Sequence, residues 1–294
     1  MLMFDPVRLQ YQVDLRYQVN SAGSDFVFNV QAARTRQQLV LWESLTVNQG
    51  VALQEHCDPA TSGRFLRLRA SAGELVLRYA ALVEQRPVGE APANITETWI
   101  PNLPGEVLPY LYPSRFCESD LLAPIAMAHF GGLWQGYSRV EAICAWVNSH
   151  VKFTSGSSSS TTTASQTLAS GRGVCRDFAH LMIAMCRALN IPARFVTGFD
   201  YGADPSLGPP DFHAYVEAYL GGRWYIFDPS GTAIPMGFMR LTSGRDAADC
   251  AYASIFGDVV PTSRSLEVHA VSAGNGLAPL EPYRVIGAIS TATD

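Results

Sequence analysis

The sequence predicts an α+β protein in two parts: an all-β, sandwich-like region over residues 1–104 and a mixed region over 105–294 that carries the chemistry. Three observations lead there. Apolar and polar side chains alternate without a break from Val7 to Asn20. The apolar period lengthens to that of helices after Tyr112. Past Asn190, short β-like runs return, separated by Gly- and Pro-rich turns.

In the opening stretch Val7, Leu9, Tyr11, Val13, Leu15, Tyr17 and Val19 point one way and the polar residues between them point the other. A period of two means a strand with one buried and one wet face. Further strands are expected at Phe26–Val30, Gln38–Val47, Phe65–Arg69 and Leu75–Val83. Turn clusters such as Ser21–Ser24 and Ala72-Gly73 separate them, the spacing of an antiparallel sandwich. His56 and Cys57 fall between strands, on a loop, with no chemical partner. Val88–Pro104 is proline-rich and reads as a linker.

The helical middle follows. Ser119 is placed to cap a helix ending near Phe130, ahead of Gly131-Gly132, with Pro124 as a point of start or kink. Ser138 and Glu141 have capping-box spacing for a second helix, whose buried stripe is Val140, Ile143, Cys144, Val147 and Val151. The run from Thr154 to Gln166 is too polar to pack. It reads as a loop, either a plain linker or a border of the active site, followed by one helical turn around Gln166–Leu168.

The chemistry concentrates between Ser170 and Gly231. Gly171-Arg172-Gly173 leads into Cys175, and Phe178, Leu181, Met182, Met185 and Leu189 then repeat at helical spacing. Asn190 caps that helix and Ile191-Pro192 ends it. Cys175 therefore stands in a first turn, where free N–H groups and the helix dipole favour a thiolate. Strands are expected at Ala193–Phe199, Ala214–Leu220 and Arg223–Asp228, the last two joined at Gly221-Gly222. His213 opens one strand and Asp228 closes its neighbour, so an antiparallel pair brings both to one sheet end. Thiol, imidazole and carboxylate in this order fit nucleophilic catalysis with an oriented base. Beyond Gly231, Phe238–Leu241 is a further candidate strand, and Leu266–Val271 and Tyr283–Ile289 are candidate edge strands that complete the sheet or cover the β region.

Composition narrows the class. The chain has 294 residues, 48% hydrophobic and 16% charged, so it can bury a large core. A net charge of −5 with no basic cluster argues against nucleic acid and anionic membranes. No run nears the about 18 apolar residues of a membrane span. The N-terminus has no basic and apolar leader pattern. Six scattered cysteines without CxxC or zinc spacing suggest reduced thiols in the cytoplasm and no metal or cofactor.

The segments GVCRDFAHL, IPARFVTGF, FHAYVEAYL and WYIFDPSG, in this order, resemble the transglutaminase-like superfamily, and more narrowly its bacterial cysteine-protease group. The strong motifs span roughly residues 107–231; the N-terminal β region fits more loosely. The resemblance implies a papain/transglutaminase-like core, a Cys-bearing helix packed on an antiparallel sheet, preceded by a β-rich region. It implies Cys175 as nucleophile, His213 as base and Asp228 as orienting carboxylate. Two positions depart from the family pattern: Tyr215 stands where a tryptophan is usual, and Ser230-Gly231 follows Asp-Pro. A papain-type glutamine is replaced by Ala169. The expected activity is thioester-mediated hydrolysis of a peptide or protein amide, glutaminyl or other. Amine transfer by a transglutaminase and a catalytically silent binding module are the alternatives.

Overall fold

The alternation from Val7 is realised as a 13-residue strand in which every odd residue is buried. In the computed structural model, which describes residues 2–20, 22–201, 211–272, 278–285 and 287–292, the chain opens with eight strands. They are β1 (Leu2–Met3), β2 (Val7–Val19), β3 (Ser24–Phe28), β4 (Gln38–Val47), β5 (Gln54–Cys57), β6 (Arg64–Ala70), β7 (Gly73–Gln85) and β8 (Val88–Glu90). The middle holds α1 (Ser119–Phe130), α2 (Tyr137–His150), β9 (Lys152–Phe153), α3 (Ala164–Ser170), β10 (Arg172–Gly173) and α4 (Cys175–Ala188). After it come β11 (Ala193–Asp200), β12 (Phe212–Leu220), β13 (Arg223–Phe227), β14 (Phe238–Gly244), β15 (Ala253–Phe256), β16 (Val259–Ala270) and β17 (Ala288–Ser290).

Two antiparallel sheets, ordered β16-β2-β7-β4 and β15-β3-β6-β5, enclose a core that includes Leu9, Tyr11, Phe26, Phe28, Leu66 and Tyr79. Three expectations change here. His56 and Cys57 lie on strand β5, not on a loop; all four residues of β5 are exposed, so no apolar alternation marks it. Val88–Pro104 is not a free linker, because β8 is the central strand between β1 and β17. Glu97, in the same stretch, forms an ion pair with buried Arg139. The boundary expected after residue 104 is crossed by the chain's last third: β15 pairs with β3 and β16 with β2. Both sandwich sheets thus take a strand from beyond the region of the thiol.

Helix starts are set by packing rather than by the nearest capping residue. The cap of α1 is Glu118, not Ser119, and the helix continues through Pro124. The capping box expected from Ser138 and Glu141 does not form, since α2 begins two residues earlier, behind Gly136. A side chain at 136 would meet the Ile95 carbonyl at 2.6 Å, so this backbone contact fixes the start. The turn expected near Gln166 is the longer α3, capped by Thr163 and Gln166, which satisfy each other's N–H groups. Gly171, at φ 62°, ends it in the left-handed conformation that glycine accepts without strain.

Strands β13-β12-β11-β14 form an antiparallel sheet on which α4 packs. The helix is buried on all sides from Asp177 to Arg187. Arg187 fastens its C-terminal end, donating to the carbonyls of Ala193, Tyr112 and Arg245. Phe199, Met239 and Leu241 from the same sheet join the sandwich core, and the Gln38 amide bonds both ways with the Arg240 backbone at 2.8 and 2.7 Å. The thiol-bearing helix and the N-terminal sandwich therefore brace one common sheet.

Candidate active site

Cys175 is the first residue of α4, and its local frame is tight. The Val174 N–H donates to Asp177 Oδ2 at 2.8 Å, so a buried carboxylate closes the first turn. A side chain at Gly173 would stand 2.7 Å from Asp177 Cβ, which is why glycine occupies the approach. The first full helical hydrogen bond runs from Phe178 N to Val174 O at 3.2 Å. The Cys175 N–H thus precedes the ladder and is available to an oxyanion. Arg176 reaches sideways to the Ser158 hydroxyl at 3.1 Å and the Ser159 carbonyl at 2.7 Å. The polar loop is in this way tied to the residue next to the thiol.

His213 and Asp228 come from the β12–β13 hairpin. Leu220 pairs with Arg223 across Gly221 and Gly222, both at positive φ, the two-residue turn expected from the sequence. With that register His213, near the start of β12, and Asp228, just past β13, reach the same end. His213 Nε2 lies 3.4 Å from Asp228 Oδ1. Asp228 also accepts from the Ser230 hydroxyl at 2.6 Å, the Ser230 N–H at 3.0 Å and the Ala233 N–H at 2.9 Å. Burial alone would raise its pKa, but His213 and these donors hold it below the usual carboxylate value.

The His213 imidazole is buried, which by itself disfavours its charged form. Asp200, Cys175 and Asp228 outweigh that, and together they hold its pKa well above the ordinary value. A charged imidazolium beside a thiol and a carboxylate is what proton shuttling to and from sulfur needs. The other cysteines differ. Burial pushes Cys117 and Cys144 up to about 12, and raises Cys186 and Cys250 as well, so all four stay thiols at neutral pH.

Two residues near this centre carry no signal in the linear pattern. Ser230 was legible only as a departure from the family's Asp-Pro ending; here its hydroxyl props the carboxylate. Asp200 ends β11 and places Oδ2 3.6 Å from His213 Nδ1. Its Oδ1 accepts from the Tyr215 hydroxyl, the residue that replaces tryptophan. Burial raises Asp200 to about 7. Residues 202–210, most of the Gly/Pro/Asp loop that precedes His213, lie outside the described residues. A cavity of about 580 Å³ opens beside Asp228, lined among others by Tyr137, Asn148, Gly231 and Arg284. Among the described residues, no three His, Cys, Asp or Glu side chains converge as metal ligands.

Comparison with known proteins bears on this geometry. Residues 128–229 match the family model of the transglutaminase-like superfamily, and residues 7–89 that of the bacterial transglutaminase N-terminal domain. A crystal structure of a protein from Cytophaga hutchinsonii, provisionally described as a cysteine protease, superposes with a TM-score of 0.90. It is 38% identical, over 98% of this chain and 99% of that one. An uncharacterised protein of Mycobacterium leprae is 26% identical over 194 residues, 63% of this chain and 68% of its own.

Proposed function

The chain belongs to the transglutaminase-like superfamily, and on that premise we propose that it is a thiol-dependent amide-bond hydrolase, a cysteine peptidase or amidase. The observation that carries the reading is the juxtaposition of Cys175, the first residue of α4, with His213, whose far nitrogen faces Asp228 at 3.4 Å. With its proton resting on the His213 imidazolium, the Cys175 sulfur attacks the amide carbonyl. The Cys175 N–H stabilises the oxyanion, a contribution of about 3 kcal/mol for such a donor. His213 protonates the leaving amine, then takes a proton from water as it cleaves the thioester. Asp228 fixes the imidazole so that the other nitrogen faces the sulfur.

The substrate is a peptide or protein bearing a glutaminyl or other amide; a net charge of −5 does not suit nucleic acid. Among the described residues no helix is long and apolar enough to cross a membrane, and all six cysteines are unpaired, which supports a reducing, cytoplasmic setting. Hydrolysis is favoured over amine transfer because an amine needs its own site to outcompete bulk water.

Intact-mass screening with peptide and glutaminyl libraries tests the proposal. The expected result is an acyl adduct on the wild type, lost in Cys175→Ala and discharged by water; discharge only by an added alkylamine would replace hydrolase with transglutaminase. If no adduct forms and iodoacetamide labels Cys175 no faster than exposed Cys57, the enzyme reading gives way to a binding module.

A further inference from the structure

Strands β11 and β12 set Gly198 directly opposite His213 and Val196 opposite Tyr215. Residues of one parity share a face, so Asp200, two beyond Gly198, lies on the His213 side and diagonal to it. Gly198 matters to that reach. A side chain there would meet the Met239 carbonyl at 2.0 Å and the Phe238 ring at 2.4 Å, so only glycine fits the position paired with His213. Asp200 is only 3% exposed. One of its oxygens accepts from Tyr215; the other, Oδ2, has no hydrogen-bond partner among the described residues and sits 3.6 Å from His213 Nδ1.

A buried carboxylate oxygen with no donor is costly unless a donor reaches it at some stage. Nδ1 is the only ring nitrogen left once Nε2 faces Asp228, so it is also the nitrogen that exchanges a proton with Cys175. We propose that Asp200 is a second positioning carboxylate for His213, accepting Nδ1–H of the imidazolium on Oδ2 while Tyr215 pins Oδ1. The idea deepens the hydrolase reading and rests on it for its catalytic meaning.

The role belongs to a defined interval. When the thiolate bonds to the carbonyl carbon, sulfur ceases to accept from Nδ1–H. The leaving nitrogen has not yet taken that proton. Asp200 Oδ2 holds the N–H in between and releases it to the departing amine; no bond to Asp200 itself is made, and no proton is gained or lost. The groups facing the ring are Cys175 from α4, Asp200 from β11, Tyr215 on its own strand and Asp228 after β13. Burial raises Asp200 to about 7, against the pull of His213 and the Tyr215 hydroxyl.

The test is an imidazole NMR titration of His213 in the full-length chain, which needs no substrate. Asp200→Asn keeps the Tyr215 acceptor and removes the charge. The expected result is a fall in the His213 pKa of about one unit, a tenfold loss of proton affinity, with the far-UV spectrum unchanged. Tyr215→Phe removes the donor that favours ionised Asp200, and should move His213 the same way by less. If Asp200→Asn does not fold, Tyr215→Phe decides. An unmoved His213 titration overturns the proposal even if Cys175 still forms acyl adducts. Absent adducts with a shifted titration would instead retire the hydrolase reading and leave the clamp.

Discussion

The Ser230 hydroxyl donates to Oδ1 of Asp228 at 2.6 Å, and that same oxygen faces His213 Nε2 at 3.4 Å. One oxygen thus receives both the prop and the imidazole. The contact turns a two-residue departure from the family's motif into a part of the site. It also explains how a buried carboxylate stays ionised: hydroxyl and backbone donors replace the water it has lost.

Ser230→Ala removes that donor but leaves the backbone donors Ser230 N and Ala233 N in place. A hydrogen bond to a charged group is worth about 1.5–3 kcal/mol, so kcat/KM should fall roughly tenfold or more. The Asp228 pKa should rise toward its ordinary value, and the acid limb of the pH–rate profile should move to higher pH. An unchanged limb would separate Ser230 from the carboxylate's ionisation.

His180 lies within the fully buried length of α4 and is expected to contribute to the acid stability of the fold. It accepts the Ala247 N–H at 3.2 Å and stacks on Phe116, and burial depresses its pKa to about 3. The unfolded chain protonates this ring near pH 6.5, the native chain only near 3. Between those values the unfolded state binds more protons, so stability is complete above about pH 6.5 and falls as pH drops toward 3. His180→Gln, which removes the titration, should flatten that part of a Tm-against-pH curve. An equally steep curve in the variant would assign acid unfolding to the carboxylates instead.

Glu217 is fully buried between Arg194 and Arg240, one oxygen accepting from Arg194 at 2.7 Å and both from Arg240. Removing one partner from a buried ionic group costs about 3–5 kcal/mol, because the remaining charges stay desolvated. Glu217→Gln leaves two guanidinium groups around a neutral amide at the centre of the β11-β12-β14 sheet. Chemical denaturation should show a loss of that size; a change below about 1 kcal/mol would mean that solvent reaches the cluster.

Which parts were legible follows from how far each signal reaches along the chain. Strand β2 and helix α4 announce themselves because their apolar residues repeat at a local period, of two in β2 and of a helix in α4. The Gly221-Gly222 hairpin is local as well, and it fixes the meeting of His213 with Asp228 before any other contact is known. Strand β5 is silent because it is exposed along its whole length, and the start of α2 because the Ile95 carbonyl, far back in the chain, sets it. The expectation that Leu266–Val271 completes a sheet or covers the β region is met by β16, but its pairing with β2, and the whole of β15, are silent, since strand pairing between distant segments leaves no mark in either one.

By itself, then, the sequence determined the α+β class and the family likeness, and it singled out Cys175, His213 and Asp228 as candidates, all from short-range periods, turns and motifs. Only the tertiary structure decided that the sandwich is finished by the chain's last third, and that Asp200 and Ser230 stand around the imidazole and its carboxylate. Asp200 reaches His213 through the register of β11 on β12, which the glycine at 198 lets β11 keep against Phe238 and Met239. Register is a property of two strands together, selected by the core that both help to bury, and neither strand carries it alone.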